Sequence, residues 1–184
     1  MEAIPVTRLL GLLALLGAGC ASAPVLSGPS REVILGYDDA HPATSFAFTS
    51  DTFESVLRFQ LPDGPHRPLR LRLQVENAGK LEVNVYESTP LETPGSAIKT
   101  IPLELSKEDV SDGRDGRWIV LDLGGLQPLT GVIWVGVHRA GGTPTLWTSN
   151  VVSGQAFVRD NDPTNPMGML PSKRTPMIRL ELAP

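Results

Sequence analysis

The chain has 184 residues, of which 41% are hydrophobic and 20% charged, and its formal net charge is −4 at pH 7. That length suits a single core, and the composition is too hydrophobic and too weakly charged for a disordered chain. The mildly acidic balance without a basic stripe argues against nucleic acid as the main partner, since phosphate binding depends on clustered Lys and Arg.

Residues 9–19, LLGLLALLGAG, form the first element, an apolar run of 11 residues. It is too short to cross a hydrocarbon core, which takes about 20 helical residues, and has the length of a signal-peptide h-region. Arg8 is the single positive charge before it, partly offset by Glu2. The run ends in Leu16-Gly17-Ala18-Gly19-Cys20. Small residues directly before a cysteine at the end of an apolar segment resemble the lipobox of bacterial lipoproteins. One position departs: three before the cysteine, where that family most often has Leu, stands Gly17, with Leu16 one step earlier. The resemblance implies a diacylglyceryl group on the Cys20 thiol, cleavage before Cys20, and acylation of the new amino group by a fatty acid such as palmitate. Ala21 follows the cysteine, not the Asp associated with inner-membrane retention, and by that resemblance the expected destination is the outer membrane.

The competing reading is ordinary secretion with cleavage after Ala21-Ser22-Ala23, which leaves Pro24 behind the cut. Cysteine usage favours the lipoprotein: Cys20 is the one Cys in the chain, and the secreted body has none for disulfides. Each buried methylene contributes about 0.8 kcal/mol, so two or three acyl chains on one residue make a lasting anchor where one holds marginally. The expected organisation is a signal peptide at 1–19, a lipidated Cys20 with a tether to residue 31, and one β domain at 32–184. An eleven-residue tether (21–31) reaches at most about 36–40 Å, which keeps the body close to its membrane.

The rest of the chain is punctuated by most of its 18 Gly and 17 Pro, which leaves no room for a long helix and suits short strands joined by turns. Segments 32–36 and 45–49 are the first strand candidates. Phe53, Leu57, Phe59 and Leu61 then alternate with Glu54, Arg58 and Gln60; Leu69, Leu71, Leu73 and Val75 with Arg70, Arg72, Gln74 and Glu76; Leu81, Val83 and Val85 with Glu82, Asn84 and Tyr86. Period-two alternation puts apolar side chains on one sheet face and predicts half-wet antiparallel strands. Arg70 and Arg72, with Arg67 the densest basic patch, fall on the wet face. Segment 97–105 follows, then a short helical turn at Ser106–Val110. WIVLDL (118–123) and VIWVGV (132–137) are apolar on both faces and predict central strands covered on both sides. Segments 144–148 and 154–159 precede a last alternating strand, in which Ile178, Leu180 and Leu182 face opposite to Arg179 and Glu181. Turn signals at Pro62-Asp63-Gly64-Pro65, Asn77-Ala78-Gly79, Asp112-Gly113, Asp115-Gly116 and Gly141-Gly142 separate these segments. About ten antiparallel strands with sparse helix predict an all-β fold, a single β-sandwich of jelly-roll type.

The succession Gly36-Tyr37-Asp38-Asp39, LEVNVYE (81–87), TPGSAI (93–98), RWIVLDL (117–123), GVIWVGVHR (131–139) and GQAFVRD (154–160) resembles a β-sandwich module that recurs in large secreted bacterial surface proteins. The resemblance spans roughly residues 33–160 and implies an extracytoplasmic accessory or adhesion-like role.

The chain supplies no catalytic constellation. There is no GxSxG, and His41, His66 and His138 lie in unrelated contexts without zinc-site spacing. Gly124-Gly125 and Gly141-Gly142 read as turns, not phosphate-cradling loops. Asp160, Asp162 and Asn165 are the candidate calcium ligands, since oxygen donors recur on alternate residues; the missing Gly and closing Glu of an EF-hand loop, with Pro163 and Pro166, suit a solvated turn. Trp118 and Trp134 sit in apolar strands and are assigned to the core, which leaves Trp147 for stacking on a sugar. Three readings follow. The leading one is a non-enzymatic envelope lipoprotein that binds another protein within a motility, secretion or adhesion assembly. The second is a carbohydrate-binding lipoprotein with Trp147 and the 160–165 loop at a glycan site. The third is a hydrolase built on loop carboxylates.

Overall fold

The computed structural model describes residues 32–110, 117–162 and 167–183. The apolar run 9–19, Cys20, the tether, Asn165 and the turns at Asp112-Gly113 and Asp115-Gly116 lie outside the described residues. Within them the chain is all-β: β1 Val33–Leu35, β2 Thr44–Ala47, β3 Phe53–Gln60, β4 Pro68–Glu76, β5 Gly79–Ser88, β6 Pro94–Leu105, β7 Arg117–Asp122, β8 Val132–Gly142, β9 Thr145–Ser149, β10 Ala156–Asp160, β11 Met167–Pro171, β12 Thr175–Pro176 and β13 Ile178–Leu182. The sequence predicts about ten of these. It misses β11 and β12, whose Met, Gly and Pro residues show no alternation. Segment 106–110 forms a turn, closed by Asp109 Oδ2 accepting from Ser106 N at 2.9 Å and Ser106 Oγ at 2.7 Å. These bonds hold the exposed Asp109 carboxyl below its ordinary titration range.

Two antiparallel sheets pack face to face. One runs β11-β10-β3-β8-β5-β6; the other runs β1-β13-β4-β9-β12, with β2 beside β9 and β7 beside β4. The subset β3-β8-β5-β6 against β2-β9-β4-β7 is the eight-stranded order of a jelly roll, in which successive strands cross between sheets except at the β5–β6 hairpin. β10 and β11 extend the first sheet, and β1 and β13 are added to the second. After Leu146, β9 leaves β4 and pairs with β12, while β13 takes the place beside β4. The fork is pinned where Met177 N donates to Trp147 O at 2.8 Å and Gln74 N donates to Met177 O at 3.0 Å.

Between the sheets lie the apolar sets that alternation selects: Leu57 and Phe59, Leu71, Leu73 and Val75, Leu81, Val83 and Val85, and Ile178, Leu180 and Leu182, all buried. Each such side chain contributes roughly 1.5–3 kcal/mol on leaving water. β8 lies between β3 and β5, as expected of a central strand. Its Ile133, Val135 and Val137 enter the core, and Trp134 joins a second buried cluster with Val56 and Tyr86, against which Phe157 and Met169 pack.

Three sequence expectations are corrected. β7 is an edge strand, paired among the described residues with β4 alone, and Val120 at its middle is 51% exposed. Its apolar outer face is therefore open, not covered. Glu54 and Glu181, placed by alternation on wet faces, are both fully buried. Alternation fixes which face a side chain occupies, and neighbouring long side chains decide whether water reaches it.

Candidate functional site

The free edge of β7 is built from its pairing with β4. Leu123 N donates to Leu69 O at 2.8 Å, and the pairs Leu121↔Leu71 and Ile119↔Leu73 continue that register. Backbone polar groups alternate sides along a strand, so those of Trp118, Val120 and Asp122 point away from β4. Other sheet margins carry the devices that block unwanted pairing. β6 has Lys99 and Pro102, β11 ends in Pro171, and β1 and β2 span only three and four residues. β7 has six residues, with Trp-Ile-Val-Leu at its centre and neither Pro, Gly nor Lys.

Behind this edge, the outer face of the sheet carries three arginines set against carboxylates. Arg179 stacks over Trp118 with its guanidinium 4.5 Å from the ring centroid. It also grips the buried Asp38 carboxylate, Nη2 to Oδ1 at 2.6 Å and Nε to Oδ2 at 3.2 Å. Trp118, assigned to the core by its apolar neighbours, is instead half-buried beneath this arginine. Arg70 and Arg72, partly exposed as expected, both face Glu181, Arg70 at 3.5 Å and Arg72 in closer contact. A ledge of arginines thus flanks an apolar, hydrogen-bond-hungry strand.

The outer face of the other sheet is organised around Glu54. Its Oε1 accepts from the Tyr86 hydroxyl at 2.7 Å, and its Oε2 accepts from Arg159 Nε at 2.5 Å and Asn161 Nδ2 at 3.1 Å. Arg159 also lies over the Tyr86 ring, 4.8 Å from its centroid. Burial first, then the Glu54 charge and the hydrogen bond to it, push the Tyr86 hydroxyl far above its ordinary value of 10.0, with Arg159 acting in the opposite sense. Gly136 makes room for the carboxylate: a Cβ there would overlap Glu54 Oε1 and stand 2.9 Å from Tyr86 Cε2. With three donors and no solvent access, Glu54 is arranged as a structural carboxylate. Next to it, Arg58, Glu92, Trp134, Gln155 and Phe157 line a shallow concavity of about 330 Å³. There Arg58 donates to Gln155 Oε1 at 3.1 Å and Glu92 Oε2 at 2.9 Å.

Among the described residues, those singled out in the sequence do not converge. Trp147, chosen for exposure, is 7% exposed because β9 has neighbours on both sides, β2 on one and β4 and then β12 on the other. Its indole N–H has no hydrogen-bond partner among the described residues. Asp160 Oδ1 accepts from the amide of Asp162 at 3.0 Å, an ordinary turn closure, while Asn161 between them reaches back to Glu54. Among the described residues no group of three or more His, Cys, Asp or Glu side chains comes together. Asp39 Oδ1 accepts from the His41 amide at 3.0 Å, and Asp38 is committed to Arg179. His41 is exposed; His66 is half-buried in a bridge to Leu129. His138 lies within β8, its Nε2 3.6 Å from Glu82 Oε1. Nothing in WIVL marks β7 as an edge, because a strand without Pro, Gly or Lys reads as a covered one.

No protein-family model matches the sequence, and no curated protein matches it.

Proposed function

We propose that this protein is a non-enzymatic lipoprotein of the cell envelope, held to the outer membrane by acylated Cys20, whose sandwich binds another protein by adding a strand to the free edge of β7. The observation that carries the reading is the contrast among sheet margins: β7 is the apolar, unguarded one. An exposed edge of this kind is a ready template for pairing. In strand addition the main-chain bonds supply affinity and side-chain contacts supply choice of partner. Here the outward groups of Trp118, Val120 and Asp122 offer the main-chain bonds. Val120 and Trp118 offer an apolar contact, and Arg70 and Arg72, which share the single carboxylate of Glu181, favour an acidic residue beside the partner strand's apolar one.

The test is a photo-crosslinking residue at position 120 of the full chain, expressed with its own leader and activated in intact cells. A discrete adduct with one envelope protein is expected, and its loss when Asp122 and Trp118 are replaced by Pro. Labelling of abundant bystanders alone would contradict the reading.

A second reading, carbohydrate binding, is favoured by the concavity of Arg58, Glu92, Gln155 and Phe157, where a paired guanidinium and an amide sit beside an aromatic edge. It relocates the glycan site from Trp147 to the opposite sheet. Binding on arrays of envelope polysaccharides that disappears with Arg58→Ala would support it.

A further inference from the structure

Where β9 and β12 fork away from β4, a cavity of about 320 Å³ opens between them and the other sheet. That is the lower end of the range for small-molecule sites. Its apolar part is made by Phe46 of β2, Val158 of β10 and Pro176 of β12. Ser45 and Ser55 add hydroxyls that have no partner among the described residues, although Ser55 is 5% exposed. At the mouth stand Lys173 and Arg174.

These two cations set the cavity apart. Arg58, Arg70, Arg72, Lys80, Arg139, Arg159 and Arg179 each face a carboxylate, and Lys99 and Arg117 donate to backbone carbonyls. Like Arg67 and Lys107, Lys173 and Arg174 face no carboxylate among the described residues, but Lys173 and Arg174 are neighbours in the chain that line one cavity. Their turn is nevertheless fixed. Ser172 N donates to Ala156 O at 2.8 Å, Arg174 N donates to Ser172 Oγ at 3.2 Å, and Thr175 Oγ1 donates to Val151 O at 2.8 Å. Two adjacent positive charges held on a tied turn, in an acidic protein, form an anion-ready mouth with little ordering left to do on binding. The hydroxyls behind them suit oxygen acceptors, and the Phe46–Val158–Pro176 wall suits hydrocarbon.

We infer that this cavity binds a small amphiphilic anion, with its carboxylate or phosphate at Lys173 and Arg174 and a short apolar body against Phe46, Val158 and Pro176. The site lies across β4 from β7, so it is independent of the docking edge: Val120→Lys leaves anion binding intact, and losing the cationic mouth leaves docking intact.

The test is calorimetry on the full chain in lipid nanodiscs, with empty nanodiscs as blank, titrated with hexanoate, hexyl phosphate and hexanol. Saturable binding of either anion is expected. Hexanoate alone would identify a carboxylate site and hexyl phosphate alone a phosphate site. Hexanol and the Lys173→Ala/Arg174→Ala variant should each bind at least about tenfold more weakly, the scale of one charge-assisted hydrogen bond lost. Both substitutions are at exposed positions, so folding is preserved. Absence of binding by both anions, hexanol binding as tightly as they do, or an unaffected double variant would each overturn the inference.

Discussion

At Glu54 a carboxylate is held out of water by Tyr86, Arg159 and Asn161, and its energetics follow from that. Removing one partner of a buried pair leaves a charge with neither water nor counter-ion, which costs about 3–5 kcal/mol. Arg159→Ala should therefore lower stability by that amount in urea denaturation, and adding Glu54→Gln should recover part of it. A loss below about 1 kcal/mol, the scale of an exposed pair, would contradict the burial. Tyr86 supplies a pH signature. In the unfolded chain it ionises near 10.0, whereas in the folded chain burial and the Glu54 charge resist ionisation. The stability it contributes is whole below pH 10 and falls as pH rises towards the folded value, because the unfolded chain releases a proton that the folded chain keeps. Tyr86→Phe should remove this alkaline decline from the wild-type profile, measured as urea midpoints from about pH 9 to 12. None of this network was legible beforehand. Glu54, Tyr86 and Arg159 are far apart in the chain, and only the β3–β10, β3–β8 and β5–β8 registers bring them to one patch around Gly136.

At the scale of elements, alternation picked out the core-facing set in β4, β5 and β13, although Glu181 on the other face of β13 is buried. It failed in two ways. Apolarity on both faces is shared by β8, which is covered on both sides, and β7, whose outer face is open; periodicity alone does not separate them. The short β11 and β12 exist because of their neighbours, not their own pattern. The β7 edge yields a prediction at this scale. Val120 is exposed, so Val120→Lys should change stability by no more than about 0.5 kcal/mol, while a charge on the edge should abolish strand addition. Equal capture of partner by wild type and variant from solubilised envelopes would count against docking through β7, and a large stability loss would show that Val120 serves the fold.

For the whole molecule, strand count and turn spacing sufficed to predict a sandwich of jelly-roll type, since chains of short antiparallel strands have few ways to close a core. The fork of β9 and β12, and with it the cavity at Lys173 and Arg174, depends on the last strand changing neighbours at Met177, which no local pattern announces. Anchoring is likewise a property of the whole. Under the proposed anchoring, a body on an eleven-residue tether would meet its partners at the membrane surface, where even a modest edge interaction would gain from confinement. The most direct measurement is acyl labelling and envelope fractionation of the chain expressed with its own leader, wild type against Cys20→Ala. Label and outer-membrane retention are expected in wild type, with loss of both in the variant. An unlabelled, freely soluble wild-type protein beginning at Pro24 would contradict it.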